Sequence, residues 1–205
     1  RQAYAGVDHF LAVTELARKA LLEEGVDEKK ITVISMGVDL ARFRPGKQNQ
    51  KVTNILCVGR LVVEKAIGEL AEAFQGLKEK YPNLKLTLVG DGPLKNYLSG
   101  IPGITIKRVP YPQIHEEYQK ADLFWLPSKT TSHWQEQYGM SLVEAMACGL
   151  PIVTTKTGAI GEVCGEAAVY AKPGDANDLQ LKLARLIDSE SSRTILREKS
   201  LARSK

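Results

Sequence analysis

Glu136-Gln137-Tyr138-Gly139-Met140-Ser141-Leu142-Val143-Glu144 sets two carboxylates eight positions apart, with a glycine between them where a helix can begin. Just upstream, Ala121-Asp122-Leu123-Phe124-Trp125-Leu126-Pro127-Ser128 reads as a buried strand running into a loop. Strand, polar loop and helix N-terminus form the arrangement by which open α/β sheets bind anions at the carboxyl ends of their strands. If the helix starts near Gly139, the N–H groups of Gly139, Met140 and Ser141 lack intrahelical partners and carry the positive end of the helix dipole. That end favours an adjacent exposed anion by about 0.3–1 kcal/mol. Glu144 lies about five residues further, roughly 7.5 Å along the axis, where it can accept hydrogen bonds from a ribose diol. Glu136, on the loop, can reach whatever hangs from the far side of a bound phosphate. Two glutamates at arbitrary spacing are ordinarily a solvated loop residue and a surface helix residue. Here Leu142, Val143, Ala145, Met146 and Ala147 surround Glu144, and a lone carboxylate in an apolar helix is costly without a partner.

A second group is Val58-Gly59-Arg60-Leu61 followed by Lys65, at the end of an apolar strand. Arginine offers a planar fork to a phosphate and lysine adds a point charge. The plain alternative is a pair of solvated cations, with Lys65 paired to Glu69 at i,i+4. Gly90-Asp91-Gly92-Pro93 begins like a dinucleotide fingerprint but lacks its third glycine, which leaves NAD binding and an oxidoreductase poorly supported. His9, His115 and His133 are scattered and no Asp/Cys cluster accompanies them, so no metal site is expected. Cys148 on the motif helix is expected in the core rather than as a nucleophile; Trp125 and Trp134 are expected as packing residues, with shaping of the loop the alternative for Trp134, two residues before Glu136.

The elements that must hold these residues follow from composition and periodicity. The chain has 205 residues, 43% hydrophobic and 25% charged, which describes a globular protein with one well-packed domain and some extra material. A net charge of +4 with no basic run gives no reason to expect nucleic acid. Three cysteines in apolar or helical contexts argue against a disulfide framework and for a reducing, cytoplasmic setting. No apolar run is long enough to span a membrane. The opening Arg1-Gln2-Ala3-Tyr4 is neither a signal peptide nor an initiator start, so a piece of a longer protein is expected.

Residues 10–13 and 31–35 read as short strands flanking a helix over about 15–24 capped by Thr14. A turn-rich exit and a polar surface connector, Lys47 to Lys51, follow. From residue 53 strands and helices alternate: strands at 55–58, 84–89, 104–109, 123–126, 151–154 and 168–171, and helices at about 63–80, to 99, 114–120, 139–148 and 175–188, with a helical tail. This rhythm predicts a Rossmann-like, doubly wound parallel α/β sheet of about six strands. Right-handed crossovers would bring Gly59-Arg60, Gly90-Asp91, Val109-Pro110, Pro127-Ser128 and Thr155 to one rim. Residues 1–46 are expected to close a preceding domain and supply a linker, and 47–205 to form the ligand-binding domain.

With these residues in view, the chain resembles the C-terminal, donor-binding half of the retaining glycosyltransferases of GT-B fold, family 4 (group 1). The resemblance rests on Val33-Ile34-Ser35-Met36-Gly37-Val38-Asp39 with Phe43 and Pro45, Val58-Gly59-Arg60-Leu61 with Lys65, Leu88 to Pro93, Ala121-Asp122 with Leu126-Pro127-Ser128, Glu136 to Pro151, and Gly161-Glu162-Val163. It implies that Arg60 and Lys65 hold the diphosphate of a nucleotide sugar, that Glu144 binds the ribose, and that backbone near Val109 meets the base. Glu136 would contact the transferred sugar, and Gly139, Met140 and Ser141 would offer N–H groups to phosphate or sugar. It implies no cofactor and no metal, only a UDP-, GDP- or ADP-sugar. The acceptor (glycan, lipid or small molecule) is left open, with peripheral association of the full-length enzyme at the cytoplasmic membrane face as a further expectation. A nucleotide-sugar-binding module without transfer activity is the alternative. Three departures stand out: Ala66 where the family has glycine, Gly158-Ala159 in place of a double glycine, and a longer loop from Ser128 to Glu136.

Overall fold

The computed structural model describes residue 4, residues 6–47 and residues 49–205. Arg1-Gln2-Ala3, and Gln48 in the expected connector, lie outside the described residues. Strands β1 (Phe10–Ala12) and β2 (Ile31–Val33) pair in parallel around helix α1 (Glu15–Glu23), whose N-cap is the expected Thr14. The larger unit contains β3 (Asn54–Val58), α2 (Ile67–Lys80), β4 (Lys85–Val89), α3 (Lys95–Ser99), β5 (Ile104–Lys107), α4 (His115–Gln119), β6 (Leu123–Leu126), α5 (Met140–Ala147), β7 (Ile152–Thr155), α6 (Ile160–Cys164), β8 (Ala168–Ala171), α7 (Ala176–Asp188) and α8 (Glu190–Arg203).

Its six strands are all parallel, in the order β5-β4-β3-β6-β7-β8. Every residue of β6 and β7 is buried, as a sheet covered on both faces requires. Helix α2 presents Ile67, Leu70, Ala71, Phe74 and Leu77 to it, the spacing of one helical face. The linker joins this core: Phe43 is buried with its ring 5.7 Å from Tyr118, and the Tyr138 hydroxyl donates to the Met36 carbonyl at 2.9 Å.

Strands β2 and β5 each end two residues earlier than expected, at Val33 and Lys107, and two differences are larger. The helix expected from residue 63 begins at Ile67, after a single 3₁₀ turn over Val63–Lys65 and a break at Ala66, whose φ of 50° is left-handed. Short α6 was not among the expected helices; its residues Gly161-Glu162-Val163 entered only through the family resemblance.

Buried polar groups tie the layers. Arg193 donates to the carbonyls of Leu186 (2.7 Å) and Ile187 (2.8 Å), which the end of α7 leaves without intrahelical partners, and to Gln50 (2.7 Å). Asp122, just before β6, accepts from the backbone of Thr53 (2.8 Å) and Asn54 (2.9 Å) and from the Asn49 side chain (2.8 Å), holding the amino ends of β3 and β6 together. Asp122→Ala strands these donors and should cost about 2–3 kcal/mol, lowering Tm by about 5–10 °C in a chain of this size. Asp122→Asn, which keeps one acceptor oxygen, should lose less; thermal unfolding followed by circular dichroism checks both.

Candidate functional site

The strand order reverses direction between β3 and β6, which makes a crevice beyond their carboxyl ends. The β3 exit carries Gly59 and Arg60, the β6 exit carries Pro127 and Ser128, and the N-terminus of α5 opens beside them.

Lys65 and Glu136 meet in this crevice as an ion pair, with side chains only 12% and 10% exposed. The Ser128 hydroxyl also donates to Glu136 Oε2 (3.3 Å), and the Trp134 indole covers the ammonium of Lys65 at 5.0 Å from the ring centroid. A pair this dry is geometry-critical, because removing one partner leaves a buried charge at a cost of about 3–5 kcal/mol. The i,i+4 alternative does not form: Glu69 pairs with Lys129 instead. Arg60 stays open, 60% exposed and 3.3 Å from Glu64.

The backbone fixes Glu136 as firmly as its side chain does. Its carbonyl accepts from the N–H of Ala159 at 2.9 Å. Gly158 packs so closely that a Cβ would lie 2.0 Å from that carbonyl, and its φ of 55° is left-handed, so glycine is required there. The neighbouring Ala159 is right-handed (φ −84°) and tolerates its methyl, so a second glycine is not required there. Ser128 is held by the hydroxyls of Thr157 (2.9 Å) and Thr155, both donating to its carbonyl.

Helix α5 begins at Met140 after Gly139 in the left-handed conformation (φ 83°). Leu142 N–H turns back to the Gly139 carbonyl at 2.8 Å, whereas the amides of Gly139, Met140 and Ser141 make no hydrogen bond among the described residues. One turn further, Glu144 is 4% exposed and accepts from the buried Tyr118 hydroxyl at 2.6 Å. Burial pushes its carboxyl above the ordinary 4.5, while hydrogen bonding from Tyr118 and Tyr111 pulls it partly back. The charge of Glu144 in turn helps burial to raise the Tyr118 phenol well above its usual range. Val109 is partly buried beyond the end of β5. All three cysteines are buried and free, with burial raising each thiol to about 12, so none is a ready nucleophile. Among the described residues no three His, Cys, Asp or Glu side chains gather as metal ligands, and no helix is long and apolar enough to cross a membrane.

Comparison with known proteins identifies the family and the fold. The family model for group 1 glycosyl transferases matches residues 40–203. The chain belongs to that family. Its fold is the C-terminal Rossmann-like half of a GT-B glycosyltransferase. The sulfoquinovosyl transferase SQD2 of Arabidopsis thaliana is 28% identical over 96% of this chain and 41% of its own length. The C-terminal domain of a group 1 glycosyl transferase (LpcC) from Francisella tularensis superimposes with a TM-score of 0.70 at 22% identity, covering 82% of this chain and 96% of that domain. Anabaena HepE, solved in complex with UDP and glucose, superimposes with a TM-score of 0.79 at 18% identity, covering 96% of this chain and 58% of its own. The chain spans about half the length of the curated relatives it matches.

Within this family member, the crevice gathers Lys65, Glu136 and the α5 amides closely, sets Glu144 deeper along α5, and leaves Arg60 at the surface. Sequence reading missed Tyr118, which partners Glu144, and gave Ser128 no task. An apolar helix with one carboxylate signals that a partner exists, but nothing local names a tyrosine 26 positions earlier.

Because the folded protein raises the carboxyl pKa of Glu144, the ionised form weakens the fold. The stability it forfeits is fully present below about pH 4.5 and is lost as pH rises through the elevated folded value. Glu144→Gln, neutral and nearly isosteric, should raise Tm by a few degrees at pH 7. The gain should shrink as pH falls toward 4.5, which thermal melts across that range would check.

Proposed function

We propose that the chain is the nucleotide-sugar-binding half of a glycosyltransferase. With a preceding acceptor-binding domain, whose last portion would be residues 1–46, it would transfer a hexosyl group with retention of configuration. Residues 47–205 are then the donor domain. The observation that carries this reading is the dry Lys65–Glu136 pair beside three unsatisfied amides at the strand switch point. A fixed cation and a helix N-terminus are what a diphosphate needs, and a buried carboxylate within reach of both suits the sugar beyond it. Support comes from HepE, a structural neighbour solved with UDP and glucose.

In this reading Lys65 and Arg60 hold the diphosphate, Arg60 by turning inward from its exposed position. The amides of Gly139, Met140 and Ser141 contact phosphate or sugar. Glu144 receives the ribose hydroxyls, with Tyr118 already fixing one of its oxygens. Backbone near Val109 meets the base, and Glu136 contacts the transferred sugar. Lys65, Arg60 and the helix dipole would stabilise the departing nucleoside diphosphate, with no metal required. The base (UDP, GDP or ADP) is held by backbone and stays open, as does the acceptor, whether glycan, lipid or small molecule. A cytoplasmic enzyme working at the membrane face is the setting proposed. A binding module without transfer activity is the second reading, favoured for the chain on its own by its spanning about half of its relatives.

Calorimetry with UDP, GDP and ADP tests the site. One of the three should bind, and Glu144→Ala should weaken it about tenfold, the loss of one to two hydrogen bonds to a charged group. In the full-length enzyme Glu136→Ala should lower kcat far more than it raises KM. Failure of all three nucleotides to bind would remove the donor site, and equal affinity of wild type and Glu144→Ala would remove the ribose assignment.

A further inference from the structure

The long loop between Ser128 and Glu136 is folded, not slack. Thr131 N–H donates to the Trp134 carbonyl at 2.8 Å, closing a short antiparallel bridge, and His133 N–H reaches the Thr131 hydroxyl at 3.4 Å. The loop is pinned to α2 and the turn before it by the Lys129–Glu69 ion pair and by Lys129 N–H on the Glu64 carbonyl (2.9 Å). So built, it borders an open, solvent-facing cavity of about 450 Å³ lined by Thr130, Thr131, Ser132, His133, Trp134, Gln135 and Gln137. No Asp, Glu, Lys or Arg lines it. Trp134 belongs to both sites: its ring covers Lys65 and also borders the cavity.

We propose that this cavity is a carbohydrate subsite that takes an uncharged pyranose ring against the Trp134 indole. A sugar ring offers an apolar C–H face and a rim of hydroxyls that both donate and accept. An aromatic wall with hydroxyl and carboxamide neighbours meets both needs, since threonine, serine and glutamine side chains also donate and accept. A phosphate or carboxylate ligand would enter with no cation among the lining residues, and a positively charged one with no anion; either charge would be poorly matched. The loop's bridge fixes the indole before the ligand arrives, which reduces the ordering cost of binding. The inference rests on the donor-site reading for its placement, because the Trp134 ring that borders the cavity also covers Lys65, the partner of Glu136. It is either the sugar being transferred or the acceptor sugar.

Trp134 and the fully buried Trp125 are the only tryptophans, so indole NMR signals follow the subsite directly. Glucose, galactose, mannose, N-acetylglucosamine and their disaccharides would be titrated up to about 100 mM, enough to register millimolar binding. Titrations would be run with and without UDP, alongside UDP-glucose and UDP-N-acetylglucosamine. The expected result is a saturable shift of the Trp134 signal with Trp125 unmoved. Saturation-transfer measurements should show binding about tenfold weaker in Trp134→Ala and largely rescued in Trp134→Phe. Free sugar binding alongside UDP marks an acceptor subsite. A preference for a UDP-sugar over UDP that Trp134→Ala removes marks the transferred-sugar subsite. Either upholds the proposal. A still Trp134 signal with every sugar and UDP-sugar overturns it, as does equal sugar affinity in Trp134→Ala, or tighter binding of glucuronate or glucose 6-phosphate than of glucose. If UDP fails to bind while free sugars do, the donor reading falls and the loop subsite stands.

Discussion

The site depends on two loops whose backbones touch. Gly158 lies against the Glu136 carbonyl with no room for a Cβ, and the next amide, of Ala159, donates to that same oxygen. This contact ties the loop after β6 to the loop after β7, and the Thr155 and Thr157 hydroxyls repeat the tie at Ser128. Glu136 is therefore set by main chain rather than by the choices of a flexible side chain. Lys65, the Ser128 hydroxyl and the start of α5 can then be placed relative to it. Parallel strands in adjacent register are what bring these loops together, so the geometry of the rim follows from the order of the sheet.

The two carboxylates that flank Gly139 are held in opposite ways. Glu136 has a cation, a hydroxyl and an aromatic roof around that cation. Glu144 has a phenol and apolar walls, and burial raises its pKa. These two stand on either side of a helix N-terminus, each in its own environment, and the proposed donor site uses them as contacts to two ends of one extended ligand.

Much of the frame was legible in the sequence because it rests on apolar runs and glycine turns. The four central strands, almost wholly buried, are short enough and apolar enough to stand out from their connections. What was hidden is of two kinds. A backbone conformation such as that of Ala66 has no periodic signature: side-chain spacing continued the helix back to residue 63, while a left-handed φ actually interrupts it. Long-range partners are equally silent. The sequence offered Glu69 to Lys65 because it is four residues away, and the fold chose Glu136, which is 71 away. Tyr118 went unread for the same reason. The family resemblance carried roles to Arg60, Lys65, Glu136 and Glu144, yet it did not say that two of these would be paired with each other.

That pairing gives the departure at Ala66 its meaning. Among the described residues Ala66 is the only non-glycine with positive φ, and it directly follows Lys65. A left-handed alanine costs about 1–2 kcal/mol relative to a helical one, and the surrounding structure must hold it there. Its methyl is fully buried, so packing offsets part of that cost. The turn it forms ends the 3₁₀ segment and starts α2 on a new axis, which aims the Lys65 ammonium across the crevice toward Glu136 instead of along its own helix toward Glu69. A regular helix from residue 63 would place Lys65 and Glu69 on one face, one turn apart. The left-handed turn thus separates a Lys65 that would lie along its own helix from one that crosses to Glu136, and a residue tolerant of positive φ would hold that turn at lower cost than alanine.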